Sequence, residues 1–261
     1  MRCYLSKDTQ SFWVYTVYCL EGEISMSKVF VIPDVHLKPW MFERASEKIS
    51  EADYNYIVLL GDMVDDWNQE RNLELYSETF DAADRFVEEH PNTLFCYGNH
   101  DLSYPWEALE SGYSAYAHDL VVDRLKKFAD ALPEGNAAFI HRIDNVLFSH
   151  AGLTESFVKA HFGSSGNVDI DYMIKYINQM GKYYMWVDDS PIWARPQNGS
   201  WELYPSDMMQ VVGHTPVEWP QKEGNLLTLD NFSTYRNGKP IGDEAFVWID
   251  TVKMEHHLVE K

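Results

Sequence analysis

The sequence predicts an α/β (α+β) fold in which two β-sheets pack on one another, and three observations support this prediction. Short strand-like segments alternate with amphipathic helical segments in the first half of the 261-residue chain, a pattern typical of α/β domains. The second half contains more strand-like than helical segments, which indicates a second sheet packed on the first. Polar motifs directly follow several of these segments, as expected where the ends of parallel strands meet.

Eight short apolar segments, bounded by Gly, Asp, Asn or Pro, are predicted as strands. Several are apolar throughout, which is expected of strands that are covered on both faces. In chain order they are Lys28–Ile32, Tyr56–Leu60, Thr93–Tyr97, Ala138–His141, Val146–Ser149, Met209–Val212, Leu226–Leu229 and Ala245–Ile249.

Four segments between these strands are predicted as helices, because their apolar residues recur at steps of three and four. Pro91 and Pro133 come after two of the four and mark their ends. The predicted helices are Phe42–Ser50, Leu73–Val87, Val121–Leu132 and Ile170–Gly181. Two stretches rich in Pro, Gly and Asn, residues 188–205 and 231–242, are predicted as loops that shape the substrate site.

Composition favours one folded domain over residues 27–261. Hydrophobic residues make up 45% of the chain and aromatic residues 15%, which suffices for a packed core, and no linker divides the chain. Residues 1–26 are predicted to form either an N-terminal extension or an extra edge strand.

Net charge, the length of the apolar stretches and cysteine content argue against several classes of protein. The net charge of −20, from 21 basic and 41 acidic residues, argues against broad nucleic-acid binding, which requires a basic face. A phosphorylated substrate remains compatible, because bound metal ions reverse the local charge. No apolar stretch is long enough to span a membrane, so no membrane association is predicted. Three cysteines without a C-x-x-C pair favour a reducing, cytoplasmic compartment, with Cys96 in the core.

Five polar motifs carry the functional prediction, and each comes after a predicted strand. Singly they are weak signals, since Gly-Asp and Asn are common in turns and a lone His is more often structural. Five in a fixed order are strongly specific. The motifs are Asp34-Val35-His36, Gly61-Asp62-Met63-Val64-Asp65, Gly98-Asn99-His100-Asp101, Ser149-His150-Ala151-Gly152 and Gly213-His214-Thr215-Pro216.

These motifs contain the side chains that bind a pair of divalent metal ions. Two such ions can activate a water molecule at neutral pH and stabilise negative charge on a phosphoryl group. Carboxylate, amide and imidazole ligands suit Mn, and they are also compatible with Fe, Zn or Ni. The sequence therefore predicts two divalent metal ions per chain, and the candidate ligands are Asp34, His36, Asp62, Asn99, His150 and His214.

The motifs resemble those of the calcineurin-like metallophosphoesterase superfamily. Within it they are most similar to the phosphoprotein phosphatase branch, which includes symmetrical diadenosine tetraphosphatases. Like that branch, the chain has a single histidine in its last motif, with Pro216 where many other members have a second histidine. The resemblance implies a four-layer sandwich of two mixed β-sheets flanked by helices, with a dinuclear metal site at the C-terminal ends of the strands.

The resemblance also implies roles for individual residues. The first metal would be held by Asp34 and His36, the second by Asn99, His150 and His214, and Asp62 would bridge them. Water activated between the metals would attack the phosphorus. His100 would act as general acid, oriented by Asp65, because an imidazolium close to two cations needs a carboxylate partner. Asp101 is predicted to support the loop.

Two arginines that are usual in the branch are missing, since Asp66 and Tyr97 stand in their places. Arg195 is therefore predicted to bind phosphate together with Asn99, and Arg142 and Arg236 are weaker alternatives. An acidic residue at position 66 would either suit a substrate with positive charge near its phosphate or disfavour free phosphate.

The predicted function is a dinuclear metal-dependent phosphatase for phosphomonoesters, with phosphoproteins as the first candidate substrates. A dinucleoside polyphosphate hydrolase or a phosphodiesterase of the same fold remains an alternative. Outside the enzyme class, the alternatives are a catalytically silent scaffold and a structural metal protein. The sequence leaves the natural substrate and the oligomeric state open.

Overall fold

The computed structural model describes residues 27–163 and 168–259. The extension or edge strand predicted for residues 1–26 lies outside this part of the chain. In chain order the strands are β1 (Lys28–Ile32), β2 (Tyr56–Leu59), β3 (Thr93–Cys96), β4 (Ala137–Ala138), β5 (Ile140–Ile143), β6 (Val146–Ser149), β7 (Met209–Val212), β8 (Gln221–Glu223), β9 (Leu226–Thr228), β10 (Val247–Asp250) and β11 (Glu255–Leu258).

Helices connect these strands. They are α1 (Trp40–Ile49), α2 (Leu73–Glu89), α3 (Asn99–Ser103), α4 (His118–Ala131), α5 (Glu155–Phe162), α6 (Ile170–Ile177) and α7 (Lys182–Met185), together with a short 3-10 helix, Pro196–Asn198. Among the described residues, no helix is both long and apolar enough to cross a membrane.

The strands form two mixed sheets. The six-stranded sheet has the order β11-β10-β1-β2-β3-β4. Strands β1 to β4 run parallel to one another, and β10 runs antiparallel to both of its neighbours, β1 and β11. The five-stranded sheet has the order β5-β6-β7-β9-β8, in which β6, β7 and β9 are parallel. Parallel neighbours bring the C-terminal ends of β1, β2 and β3 together, and likewise those of β6 and β7.

The sheets pack face to face with helices outside them. Successive residues of a strand point to opposite faces. In β1, Phe30 packs with the residues of α1, α2 and α4, whereas Val31 packs against the second sheet. In β6, Phe148 faces the first sheet and Leu147 packs with α5 and α6. The predicted four-layer sandwich of two mixed sheets flanked by helices is therefore confirmed.

One predicted strand is wrong. The apolar segment Ala138–His141 contains no turn residue, so it was predicted as one strand. In the structure it is divided between β4 of the first sheet and β5 of the second, and Phe139 lies between them. The chain changes sheets here without a Gly or Pro, and only the pairing of each half with a different strand reveals the division.

The sequence prediction also missed the polar edge strands β8 and β11 and the helices α3, α5 and α7. Strand β11 contains His256 and His257, and His257 stacks on Trp248 of β10 with the ring centroids 4.1 Å apart. A polar strand lacks the apolar pattern on which the prediction depends. Such a strand is recognised only by its backbone pairing with a neighbouring strand.

Candidate active site

The five polar motifs lie at the ends of five strands, and these ends are close together. Asp34 follows β1, Asp62 follows β2, Asn99 opens α3 after β3, and His150 and His214 follow β6 and β7. The backbone is left-handed at Asp62 (φ 47°) and at His214 (φ 63°), a conformation that residues other than glycine rarely adopt and that is common at functional sites. The sharp turns that result aim these side chains across the ends of the strands.

The predicted ligands form two groups that share one residue. Asp34, His36 and Asp62 make up the first group, and Asp62, His150 and His214 the second; in each group the potential ligand atoms lie within 4.8 Å of one another. Asp62 Oδ2 is 3.2 Å from His150 Nε2 and 3.8 Å from His36 Nε2. The structure thus brings together the residues predicted from the motifs, with Asp62 between the two groups.

Hydrogen-bond acceptors converge in the second group. His150 Nδ1 is 2.8 Å from the Leu60 carbonyl oxygen, so this nitrogen carries the proton and Nε2 presents a lone pair. Around that lone pair lie Asn99 Oδ1 at 3.0 Å and Asp62 Oδ2 at 3.2 Å. Buried acceptors that face one another repel unless a cation lies between them. The donor set therefore fits a divalent metal ion.

Backbone carbonyl groups fix the other two imidazoles in the same manner. His214 Nε2 is 3.2 Å from the Trp193 carbonyl oxygen, which leaves Nδ1 facing His150 Nε2 at 3.1 Å. His36 Nδ1 is 2.8 Å from the Asp65 carbonyl oxygen, which leaves Nε2 facing the first group. Partners of this kind orient the imidazoles of metal sites.

Asp34 also fits a nearby cation. Its Oδ2 accepts a hydrogen bond of 2.9 Å from the His214 backbone N–H. Its Oδ1 is buried and has no hydrogen-bond donor among the described residues. Burial, and then the charge of Asp230, raise the pKa of Asp34 well above its ordinary value. A bound metal ion would partner this oxygen and favour the ionised carboxylate.

The histidines of the second group differ in their pKa values. Burial opposes protonation of His150, but the carboxylates of Asp62 and Asp34 outweigh it and raise the pKa to about 9. Burial, together with the neighbouring His150, lowers the pKa of His214 well below its ordinary value. A proton and a metal ion compete for the same lone pair of His150, so metal binding at neutral pH is expected to release a proton.

His100 lies next to both groups and is held by the predicted partner. Its Nδ1 is 3.0 Å from Asp65 Oδ2, and its backbone N–H donates to Asp62 Oδ1 over 3.0 Å. The hydroxyls of Tyr76 and Tyr104 both donate to Asp65 Oδ1. Burial disfavours the imidazolium, but the surrounding carboxylates, Asp62 foremost, raise the pKa of His100 to about 10. The contact between Nδ1 and the Asp65 carboxylate favours the protonated ring, as a general acid requires.

Asp101 supports the loops, as predicted. Its carboxylate accepts three backbone hydrogen bonds, from the N–H groups of Asp62 and Met63 at 2.8 Å and of Gly98 at 2.9 Å. One buried carboxylate thereby joins the second motif to the third and holds the backbone of Asp62 in place.

Arg195 lies beside the metal-ligand groups. Its Nη1 donates to the His214 carbonyl oxygen over 2.9 Å and to Thr215 Oγ1 over 3.0 Å. The residue lines a cavity of about 380 Å³ that also contains His100 and Arg236. Arg142, the other alternative, is exposed and pairs with Asp171, away from this cavity.

The two residues that replace the missing arginines differ in their access to the cavity. Asp66 lies 3.6 Å from the ammonium group of the buried Lys38, and it accepts a hydrogen bond of 2.9 Å from Thr234 Oγ1. These partners offset part of its charge, and the Asp66 side chain lines the same cavity as Arg195. Tyr97 packs against the core instead of entering the cavity.

Two acidic residues of the site were missed by sequence reasoning. Asp230, fully buried near Asp34, follows the apolar strand β9 as the motif residues follow theirs, so the same rule could have found it. Glu110 accepts a hydrogen bond of 2.7 Å from Asn99 Nδ2. It lies in an irregular segment before α4, where no periodicity or motif marks it.

Comparison with known proteins agrees with this geometry. A family model described as calcineurin-like phosphoesterase matches residues 27–245. Among solved structures, a protein serine/threonine phosphatase from Saccharomyces cerevisiae, with similarity to human phosphatase PP5, shares 15% identity at a TM-score of 0.51; 88% of this chain and 74% of that chain are covered. Among curated proteins, none matches this chain significantly.

Two further solved structures match at lower TM-scores. A metallophosphoesterase from Sphaerobacter thermophilus shares 14% identity at a TM-score of 0.41, with 90% of this chain and 88% of that chain covered. The phosphoesterase YfcE from E. coli shares 14% identity at a TM-score of 0.40, with 89% and 100% covered.

The family model covers most of the chain, including all five motifs. The structure of the yeast phosphatase shows the same fold. The resemblance that the motifs indicated is thus confirmed, and the chain belongs to the calcineurin-like phosphoesterase family, as a metal-dependent phosphoric ester hydrolase.

Proposed function

We propose that this hydrolase is a dinuclear phosphatase that acts on phosphomonoesters, with phosphoproteins as its substrates. The observation that carries the proposal is the position of Asp62, whose carboxylate belongs to both ligand groups. A bridging carboxylate holds two ions close enough to act on one phosphoryl group. The six proposed ligands are Asp34, His36, Asp62, Asn99, His150 and His214, and Mn²⁺ is the proposed metal.

The two ions would supply an activated water and neutralise the charge on the phosphoryl oxygens. The remaining chemistry belongs to His100 and Asp65. Asp65 holds the imidazole through Nδ1, so the Nε2–H side is available to protonate the leaving oxygen. The Arg195 guanidinium, anchored through one nitrogen on His214 and Thr215, would bind a phosphoryl oxygen with its other N–H groups.

A dinucleoside polyphosphate hydrolase is the second candidate function, and the rim of the cavity favours it. The Trp67 side chain lines the cavity and is 47% exposed, so a base could stack on it. Arg236 lines the same cavity and forms no ion pair with any residue in the described ranges, so it could bind an additional phosphate.

A panel of four substrates distinguishes these functions. With saturating Mn²⁺, we expect hydrolysis of p-nitrophenyl phosphate and a serine phosphopeptide, with little turnover of bis(p-nitrophenyl) phosphate or diadenosine tetraphosphate. Preferential cleavage of the tetraphosphate would replace the first proposal by the second. A lack of turnover on all four substrates by protein with two bound metal ions would favour a silent scaffold.

Substitution of Arg195 tests its proposed contact with phosphate. Arg195→Ala is expected to raise KM for p-nitrophenyl phosphate by roughly 10- to 100-fold, because one charge-assisted hydrogen bond contributes about 1.5–3 kcal/mol. Steady-state kinetics measure this change, and Arg142→Ala is the matched control, since Arg142 lies on the surface with Asp171. An unchanged kcat/KM in Arg195→Ala would exclude the contact.

A further inference from the structure

Glu110 is a buried carboxylate at the active site that no motif contains. Its side chain is 8% exposed. One oxygen, Oε2, accepts a hydrogen bond of 2.7 Å from Asn99 Nδ2. The other, Oε1, is 3.4 Å from His100 Nδ1 and has no hydrogen-bond partner among the described residues. A carboxylate is rarely buried without a specific use, because its desolvation is unfavourable.

The contact with Asn99 decides which end of the amide faces the metal ligands. A primary amide has nearly the same shape at both ends, but only its oxygen can bind a metal ion. Glu110 can accept hydrogen bonds but cannot donate them when ionised, so it selects the NH₂ end of Asn99. The amide oxygen then lies 3.0 Å from His150 Nε2, inside the second ligand group. Without this acceptor, the two orientations of the amide would differ less in energy.

The segment that carries Glu110 is itself anchored against the site. A side chain at Gly112 would bring its Cβ to 3.3 Å from His100 Cε1, so the backbone passes close to the imidazole. Further along, the Ser114 backbone N–H donates to the Tyr104 hydroxyl over 3.0 Å, and that hydroxyl donates to Asp65. Tyr104, which holds Asp65, thus also holds the segment that places Glu110.

We propose that Glu110 is a positioning residue that orients the Asn99 amide for metal binding. This inference rests on the proposed role of Asn99 as a metal ligand. Among the described residues, Glu110 belongs to neither group whose ligand atoms converge, so it acts through Asn99. Partners of this kind change metal affinity by about 10- to 100-fold when they are removed.

The test is a titration of metal-free protein with Mn²⁺, in which isothermal titration calorimetry measures the affinity of each site. Glu110→Ala removes the acceptor, and we expect it to weaken one of two Mn²⁺ sites by roughly 10- to 100-fold. Glu110→Gln keeps the length of the side chain, but its amide can donate as well as accept and so no longer selects the NH₂ end of Asn99. We expect its loss of affinity to be no larger than that of Glu110→Ala. Glu107→Gln, an exposed residue of the same segment, is the control and should bind as wild type does.

A double-mutant cycle separates positioning from a general structural effect. In an Asn99→Ala background, Glu110→Ala should cause no further loss of Mn²⁺ affinity, because the amide through which it acts is gone. An additive loss in that background would overturn the proposal, as would wild-type affinity in Glu110→Ala.

Failure of the proposed function gives a different result. The titration requires no turnover, so protein that binds two Mn²⁺ ions but hydrolyses no phosphate ester would refute the phosphatase and leave the effect of Glu110 measurable. Conversely, an active wild type whose Mn²⁺ affinity is the same with and without Glu110 would refute only the inference about Glu110.

Discussion

Asp62→Asn is expected to reduce the turnover of p-nitrophenyl phosphate by roughly 10³-fold or more. Asp62 is the one residue shared by the two ligand groups, so the substitution removes negative charge from both. The new NH₂ group would also present hydrogens to an ion if it faced His150, whose Nε2 lies 3.2 Å from Asp62 Oδ2. The measurement is kcat at saturating Mn²⁺, with the metal content of each protein determined in parallel.

A surface substitution provides the control for this loss. Asp53 is exposed, so Asp53→Asn makes the same change of charge and should retain full activity. Circular dichroism checks that Asp62→Asn is folded. If the folded variant kept more than a tenth of wild-type activity with two ions bound, Asp62 would not be the bridging ligand.

Gly213→Ala is expected to remove both metal binding and activity, although glycine itself contributes no ligand. A Cβ at this position would lie 1.8 Å from Asp34 Oδ1, a distance that no pair of non-bonded atoms can adopt. The carboxylate must therefore leave its position, where its Oδ2 accepts the His214 backbone N–H. Overpacking of this kind also lowers stability by about 1–3 kcal/mol.

Calorimetric titration with Mn²⁺ and thermal unfolding measure these two effects. Gly181→Ala is the matched control, because a Cβ there meets nothing within 4 Å and its φ of −97° is open to all residues. The control should bind Mn²⁺ as wild type does. Two Mn²⁺ ions bound with wild-type affinity by Gly213→Ala would show that Asp34 is not needed for the first site.

Much of the fold could be predicted because its strands and helices follow from local patterns of apolar and turn residues. Predicted and observed bounds are the same for Lys28–Ile32, Val146–Ser149 and Met209–Val212, since each is an apolar run between turn residues. The failure at Ala138–His141 has the opposite cause. That run is continuous, and its two halves belong to different sheets only because they pair with different strands.

The sequence by itself determined the candidate ligands and the family. Asp, Asn and His residues that follow apolar strands are a local signal, and five motifs of this kind in a fixed order are specific. Parallel neighbours bring the strand ends together within each sheet, and the packing of the two sheets brings both sets of residues around Asp62.

Only the tertiary structure determined which atoms of the site residues face the ligand groups and which charges lie beside them. The carbonyl group of Leu60 selects the nitrogen that His150 presents, and Glu110 selects the end of the Asn99 amide. Lys38 lies 3.6 Å from Asp66 and offsets part of its negative charge. These contacts join residues that are distant in the chain, or residues whose position depends on an irregular loop. No local pattern encodes them, because their energy depends on burial and on partners that only the folded chain brings together.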